Sequence, residues 1–257
     1  MSRINSSRSD EGRARMASSI SCAVPIVEGY KCGRSFAKES ISYLKRQNVR
    51  LSRQFEKALL YATRIHGGQL RKKTRIPYIA HILGVTAIAM EYGANEIEAI
   101  AALLHDAVED CGGAKRLRHI ERKFGKAVAK IVDGCTDTDQ VPKPPWLERK
   151  KAYVAHVRHA SAPTKLVSAS DKLHNIRAIL MAYRREGENL WSRFNGGKQG
   201  ALWYYRALVD TFSGARRIQP LAQEIDRVLT ELELLSNKGI PVKAPPSLRK
   251  PLKSRTS

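Results

Sequence analysis

Apolar residues recur at three- and four-residue steps through the middle of the chain. Leu51, Phe55, Leu59, Ala62 and Ile65 show the pattern first. This spacing places the apolar side chains on one face of an α-helix. Similar spacing continues to residue 235, and no segment alternates apolar and polar residues as a half-buried strand does. The sequence therefore predicts an all-α fold, a compact multi-helix bundle.

Breaks in this periodicity predict where the helices begin and end. Asn95 followed by Glu98 predicts a capping box at a helix start. Pro163 suits a first helical turn, where its missing N–H is harmless. A long loop is predicted at 185–200. The predicted helices are 51–66, 78–92, 95–111, 116–124, 126–134, 145–160, 163–183, 201–212 and 220–235.

The formal charge of +22 is concentrated partly at the two ends. Residues 1–50 hold ten Lys or Arg against four Asp or Glu, and residues 237–257 hold six Lys or Arg and no acid. We predict a largely disordered N-terminal extension (1–50), one helical domain (51–236) and a disordered Pro-rich tail (237–257). The basic ends are expected to make at most weak, nonspecific contacts with nucleic acid or other anions.

Cysteine usage and hydropathy predict a cytoplasmic protein that does not contact a membrane. The four cysteines, Cys22, Cys32, Cys111 and Cys135, form no CxxC pair and are typical of reduced thiols. No apolar run has the length of a membrane span, and no apolar segment of signal-peptide length follows the N-terminal arginines.

Four titratable residues end the predicted helix 95–111, in AALLHDAVEDCGG. His105 and Glu109 are four residues apart, as are Asp106 and Asp110, so all four are expected on one helical face. Three carboxylates at the negative end of a helix dipole are unfavourable without a cation. A divalent metal ion is the natural solution.

Two isolated polar residues in other apolar helices can complete such a site. His81 lies in PYIAHILG and Asp171 lies in VSASDKLHN. With His105 and Asp106 they form an N₂O₂ ligand set that suits Mn²⁺, Fe²⁺ or Zn²⁺. Taken alone, His81 is more often a hydrogen-bonded core residue, and Asp171 can equally pair with Lys172 or an arginine.

Four local sequences carry a family resemblance: GGQLRKKTRIPYIAH, ALLHDAVED, GKAVAKIVDGCT and SDKLHNIR. Together they resemble the hydrolase domain of RelA/SpoT-type proteins, a branch of the HD-domain metal-dependent phosphohydrolases that includes small stand-alone bacterial forms. The resemblance covers about residues 55–212. It implies a cytoplasmic enzyme of the stringent response that hydrolyses the 3′-pyrophosphate of ppGpp to GDP and pyrophosphate.

The resemblance also implies roles for individual residues. His81, His105, Asp106 and Asp171 fall on the metal-ligand positions, with Mn²⁺ the usual metal. Glu109 and Asp110 fall on the pair that orients or activates the attacking water. The substrate-binding positions are Arg71, Lys72 and Asn175.

Several segments depart from the family pattern. The loop 71–76 is one residue longer than RKSGE, and Ile76 replaces the usual acid before Pro-Tyr. The stretches TDTDQVPKPPWLERK and WSRFNGGKQGALWYY resemble small bacterial HD proteins of unsettled substrate. Two alternatives therefore stay open: hydrolysis of another nucleotide, such as NADPH or a nucleoside phosphate, and a basic nucleic-acid-binding protein with a degenerate HD site.

Overall fold

The computed structural model describes residues 50–138 and 142–237. The described part is built from helices, and its one β-type pairing is an isolated bridge between Leu70 and Pro77. The predicted all-α class is confirmed. The expectations of disorder for residues 1–50 and 237–257 fall almost wholly outside the described residues.

The helices of the described part follow one another with short connections. They are α1 (Arg53–Ile65), α2 (Ile79–Glu91), α3 (Glu96–Leu104), α4 (Ala107–Cys111), α5 (Gly113–Phe124), α6 (Lys126–Cys135), α7 (Trp146–His159), α8 (Ala162–Glu186), a 3₁₀ helix (Gly187–Arg193), α9 (Gly197–Ser213) and α10 (Gln219–Asn237).

Side-chain caps account for several helix starts. The predicted capping box at α3 is confirmed, because the Asn95 side chain accepts from Glu98 N and the Glu98 side chain accepts from Asn95 N. Ser52 and Ser161 cap α1 and α8 in the same way, and Pro163 lies in the first turn of α8. Each cap satisfies a backbone N–H that the helix leaves without a partner.

The prediction of one continuous helix over 95–111 was wrong. The helix ends at Leu104, His105 and Asp106 form a turn, and the short α4 follows. His105 Nδ1 lies 2.9 Å from the carbonyl oxygen of Ala102. In a continuous α-helix that carbonyl accepts from the N–H of Asp106, so the histidine side chain competes with the helical pattern at the break.

The predicted loop at 185–200 is mostly helical, which is a second correction. It contains the end of α8, the 3₁₀ helix and the start of α9. Gly187 ends α8 with φ of 57°. The 3₁₀ turns that follow bury Leu190 and Trp191, and this burial stabilises a segment whose polar composition predicted a loop.

The long helix α8 organises the core. It packs against α2, α3, α6 and α10, so its residues face most of the bundle. Gly84 lets α2 approach it closely, since a Cβ at this position would lie 2.3 Å from Cδ2 of His174. Within the described residues, no helix has both the length and the apolar character needed to cross a membrane.

Candidate metal centre

Four side chains from three parts of the fold converge beside α8. His81 comes from α2, His105 and Asp106 come from the turn after α3, and Asp171 comes from α8. His81 Nε2 lies 3.4 Å from Asp106 Oδ2 and 3.3 Å from Asp171 Oδ1. His105 Nε2 lies 3.0 Å and 3.7 Å from the same two oxygens. The structure thus brings together all four predicted metal ligands.

Burial makes this cluster unfavourable without a cation. His81 and His105 are each 3% exposed and Asp171 is 6% exposed. Burial lowers the pKa of His105, but the carboxylates of Asp106 and Asp171 outweigh this effect and raise it well above the usual range. Burial raises the pKa of Asp106, yet the imidazoles of His105 and His81 hold it below its usual range. Two buried carboxylates therefore bind a positive charge at this point.

The donor atoms fit a divalent metal ion. His105 Nε2 is buried and makes no hydrogen bond within the described residues, although Asp106 Oδ2 is near. Its Nδ1 donates to the Ala102 carbonyl, which can only accept, so Nε2 is left to bind the ion. One atom each from His81, His105 and Asp106 lie within 4.8 Å of one another. Two imidazole nitrogens and two carboxylate oxygens suit a transition metal such as Mn²⁺, Fe²⁺ or Zn²⁺.

A cavity of about 190 Å³ opens beside the four residues. Glu109 and Asp110 line it, as predicted for residues that handle water. Asp110 Oδ2 accepts from Gln69 Nε2 at 3.0 Å, and Glu109 Oε1 accepts from Lys143 Nζ at 2.8 Å. Carboxylates next to the ligand cluster are in reach of a water bound there.

The three predicted substrate-binding residues are placed differently. Arg71 and Asn175 line the cavity, whereas Lys72 is exposed and does not. Arg71 Nη2 donates to Asn175 Oδ1 at 2.7 Å, and Asn175 Nδ2 donates to Asp171 Oδ1 at 2.5 Å. Arg71 and Asn175 therefore contact the ligand cluster itself as well as the open space.

Two lysines that the sequence analysis did not assign form one wall of the cavity. Lys172 donates to Asp171 Oδ2 and lies 5.0 Å from the centroid of the Tyr153 ring. Lys150 lies 4.8 Å from the centroid of the Tyr204 ring. Asp171 thus pairs with Lys172 through one oxygen and faces the histidines with the other, so the alternative considered for it coexists with the ligand role.

An acid from the unusual stretch 136–150 supports this wall. Asp137 Oδ2 accepts from Lys150 Nζ at 2.9 Å and from Arg149 Nη1. Asp137 Oδ1 and the Tyr204 hydroxyl are buried without a hydrogen-bond partner in the described residues. Burial and the nearby Lys172 lower the pKa of Lys150, and Asp137 opposes this shift. Both unpaired oxygens line the cavity and are available to a ligand.

Tyr78 is a further residue that the sequence analysis missed. Its hydroxyl donates to Asp106 Oδ2 at 2.6 Å. Burial and the Asp106 carboxylate raise its pKa, so the phenol remains protonated and able to donate. The Pro-Tyr dipeptide before His81 was the available clue, because it puts Tyr78 about one helical turn before a ligand.

The HD domain family profile matches residues 58–202, more than half of the chain. The chain therefore belongs to the HD domain family. This agrees with the fold and with the convergence of histidines and aspartates, and it confirms the family resemblance drawn from the sequence.

The more particular relatives are named as alarmone enzymes. The chain is 41% identical over 122 residues to the Danio rerio protein called guanosine-3′,5′-bis(diphosphate) 3′-pyrophosphohydrolase MESH1, a match to 46% of this chain and 65% of that relative. For the Homo sapiens MESH1 the identity is 41% over 129 residues, 49% of this chain and 69% of the relative. A Streptomyces coelicolor GTP pyrophosphokinase is 37% identical over 137 residues, 53% of this chain and 16% of that longer relative.

Two solved structures share the fold. One, described as a metazoan ortholog of SpoT that hydrolyses ppGpp, has a TM-score of 0.60 at 26% identity and covers 73% of this chain and 99% of that chain. The other, from Listeria monocytogenes EGD-e, has a TM-score of 0.54 at 30% identity and covers 59% and 97%.

Proposed function

We propose that this protein is a metal-dependent phosphohydrolase that removes the 3′-pyrophosphate of ppGpp or a closely similar nucleotide. The observation that carries the proposal is the convergence of His81, His105, Asp106 and Asp171 on one point, beside a cavity with both carboxylates and lysines. The names of the MESH1 relatives and of the metazoan SpoT ortholog support ppGpp as the substrate.

The metal ion is proposed to be Mn²⁺, with Fe²⁺ and Zn²⁺ compatible with the same N₂O₂ set. A divalent cation held by these four residues supplies Lewis-acid polarisation of a phosphoryl oxygen and activation of water. Tyr78 holds Asp106 in place from behind through its hydroxyl. Such outer hydrogen bonds orient metal ligands.

Glu109 and Asp110 are proposed to handle the attacking water. Glu109 takes a proton as the water oxygen bonds to the phosphorus that is attached to the 3′-oxygen of the ribose. The bond between that phosphorus and the 3′-oxygen breaks, the oxygen receives a proton, and the products are GDP and pyrophosphate. Asp110, held by Gln69, is placed to orient the water.

Lys150 and Lys172 are proposed to stabilise the phosphate charge. Both ammonium groups are largely removed from solvent, with side-chain exposures of 19% and 13%. In such a site a cation stabilises developing negative charge more strongly than in water. Asn175 lines the same space and is proposed to contact the sugar, with Arg71 beside it. Lys72 is exposed, and a role for it requires a substrate that extends beyond the cavity.

The deciding experiment incubates the full-length chain with Mn²⁺ and a panel of ppGpp, NADPH and nucleoside phosphates. We expect stoichiometric pyrophosphate and GDP from ppGpp, with Asp106→Ala inactive. Release of inorganic phosphate from NADPH or a nucleoside phosphate, with ppGpp untouched, would replace the proposed substrate by another nucleotide. A cytoplasmic location, a bacterial source and weak contacts of the basic ends with nucleic acid stay predictions from the sequence.

A further inference from the structure

His174 lies between a guanidinium and a metal-ligand histidine. Arg71 Nη1 is 3.1 Å from His174 Nδ1, and His81 Nδ1 is 2.9 Å from the same nitrogen. The rings of His81 and His174 meet edge to face, with centroids 4.7 Å apart. The other nitrogen of His81, Nε2, faces Asp106 and Asp171.

The directions of these hydrogen bonds follow from what each group can do. A guanidinium has five N–H donors and no acceptor. His174 Nδ1 must therefore accept from Arg71, so it carries no proton. His81 Nδ1 lies at hydrogen-bond distance from that acceptor and can bond to it only by donating. The direct approach of Arg71 Nη1 to His81 Nδ1 is 3.5 Å, too long to compete.

We propose that Arg71 and His174 form a relay that fixes His81 as the Nδ1–H tautomer and so leaves Nε2 free to bind the divalent cation. Arg71 and His174 are positioning residues in this account. The inference rests on the metal centre of the proposed function but is independent of which nucleotide is cut. It assigns to Arg71 a task that a substrate-binding role does not include.

The second amino group of Arg71 extends the relay to another ligand. Arg71 Nη2 donates to Asn175 Oδ1, which fixes the orientation of that amide. Its Nδ2 then faces Asp171 Oδ1 and donates to it. One guanidinium therefore orients His81 through His174 and Asp171 through Asn175.

His105 shows that the other histidine ligand is prepared by a different device. Its Nδ1 donates to the backbone carbonyl of Ala102, which has no second protonation state. His81 lies in a helix whose own carbonyls are taken by helical hydrogen bonds, and the atom beside its Nδ1 is an imidazole nitrogen. Since that nitrogen can be a donor or an acceptor, it specifies the tautomer of His81 only while Arg71 fixes its own.

The test compares His174→Phe with His174→Gln in the full-length chain. Phenylalanine fills the space and removes the acceptor, whereas the glutamine side-chain oxygen can accept from both neighbours. Mn²⁺ affinity is measured by titration calorimetry, and the ring nitrogens of His81 are assigned by long-range ¹H–¹⁵N NMR of the metal-free protein. His159→Phe, at an exposed histidine of α7, is the matched control.

We expect Nδ1 of His81 to carry the proton in the wild-type protein. Mn²⁺ affinity should fall by about 10- to 100-fold in His174→Phe, the usual cost of losing an outer partner of a metal ligand. His174→Gln should recover most of it, and His159→Phe should match the wild type. If His174→Phe is unfolded by circular dichroism, Arg71→Met provides the same test, because it releases His174 without touching either ring.

Two results would overturn the relay while the metal centre stands: a proton on Nε2 of His81 in the wild type, or equal Mn²⁺ affinity in the wild-type and His174→Phe proteins. Absence of Mn²⁺ binding by the wild-type protein overturns the metal centre, and the NMR measurement still decides the tautomer of His81.

Discussion

Lys143 and Glu109 form an ion pair at the mouth of the cavity, with Nζ 2.8 Å from Oε1. The lysine comes from the stretch that departs from the family pattern, and its side chain is 45% exposed. Exposed ion pairs contribute little stability. Glu109 is therefore held by a contact that opens easily when a phosphate group offers Lys143 another partner.

Lys143→Met should weaken substrate binding more than turnover. A lost charge-assisted hydrogen bond to phosphate costs about 1.5–3 kcal/mol, so KM should rise by about tenfold or more while kcat changes little. Steady-state kinetics with ppGpp measure both quantities. A large fall in kcat with an unchanged KM would show that Lys143 acts on Glu109 and not on the substrate.

Asp106→Ala should abolish Mn²⁺ binding and activity and leave a folded helical protein. It removes a carboxylate oxygen that faces both histidines. Metal content after dialysis, together with circular dichroism, tests this. Asp210→Ala, at an exposed aspartate of α9, should behave as the wild type. Full retention of metal in Asp106→Ala would remove this residue from the ligand set.

Asp110→Asn should keep the metal and lose turnover. The amide preserves the size of the side chain and its contact with Gln69, but it cannot orient water as a carboxylate does. We expect kcat to fall by about 10²–10⁴-fold, the usual contribution of a positioned general acid or base group, with unchanged Mn²⁺ affinity. Loss of metal binding would instead make Asp110 a ligand.

Gly84→Ala should lower Mn²⁺ affinity although residue 84 contacts no ligand of the proposed metal. The new Cβ would lie 2.3 Å from Cδ2 and 2.4 Å from Nε2 of His174, so the ring must move. Gly214→Ala is the control, because a Cβ there meets nothing within 4 Å. Equal Mn²⁺ affinity in the two variants would show that His174 can be displaced at no cost to the site.

Mn²⁺ binding should release protons at pH 7 and weaken as the pH falls. The neighbouring carboxylates raise the pKa of His105 well above its usual range despite its burial, so His105 is protonated in the metal-free protein at neutral pH. The ion must displace that proton, and metal affinity therefore increases with pH until His105 is neutral without the ion. Calorimetry in buffers of different ionisation enthalpy counts the released protons. A count of zero at pH 7 contradicts this assignment.

Periodicity and capping residues predicted the helices well because both depend on local sequence. The polar residues His81 and Asp171 stood out because their apolar surroundings offered no local partner. The break at His105 was not predictable in the same way, since no glycine or proline marks it and the competing contact is a side chain to its own preceding turn. Lys150 and Tyr78 were missed because their roles depend on contacts between segments far apart in the chain.

The turn at His105 and Asp106 has a consequence for anyone who would rebuild this centre in another scaffold. On a regular helix, consecutive side chains point about 100° apart, because a turn takes 3.6 residues. Here two consecutive side chains approach to 3.0 Å, His105 Nε2 to Asp106 Oδ2. A designer who transplanted the dipeptide onto an unbroken helix would copy the letters and lose the chelate, so the interruption of the backbone is the part to transplant.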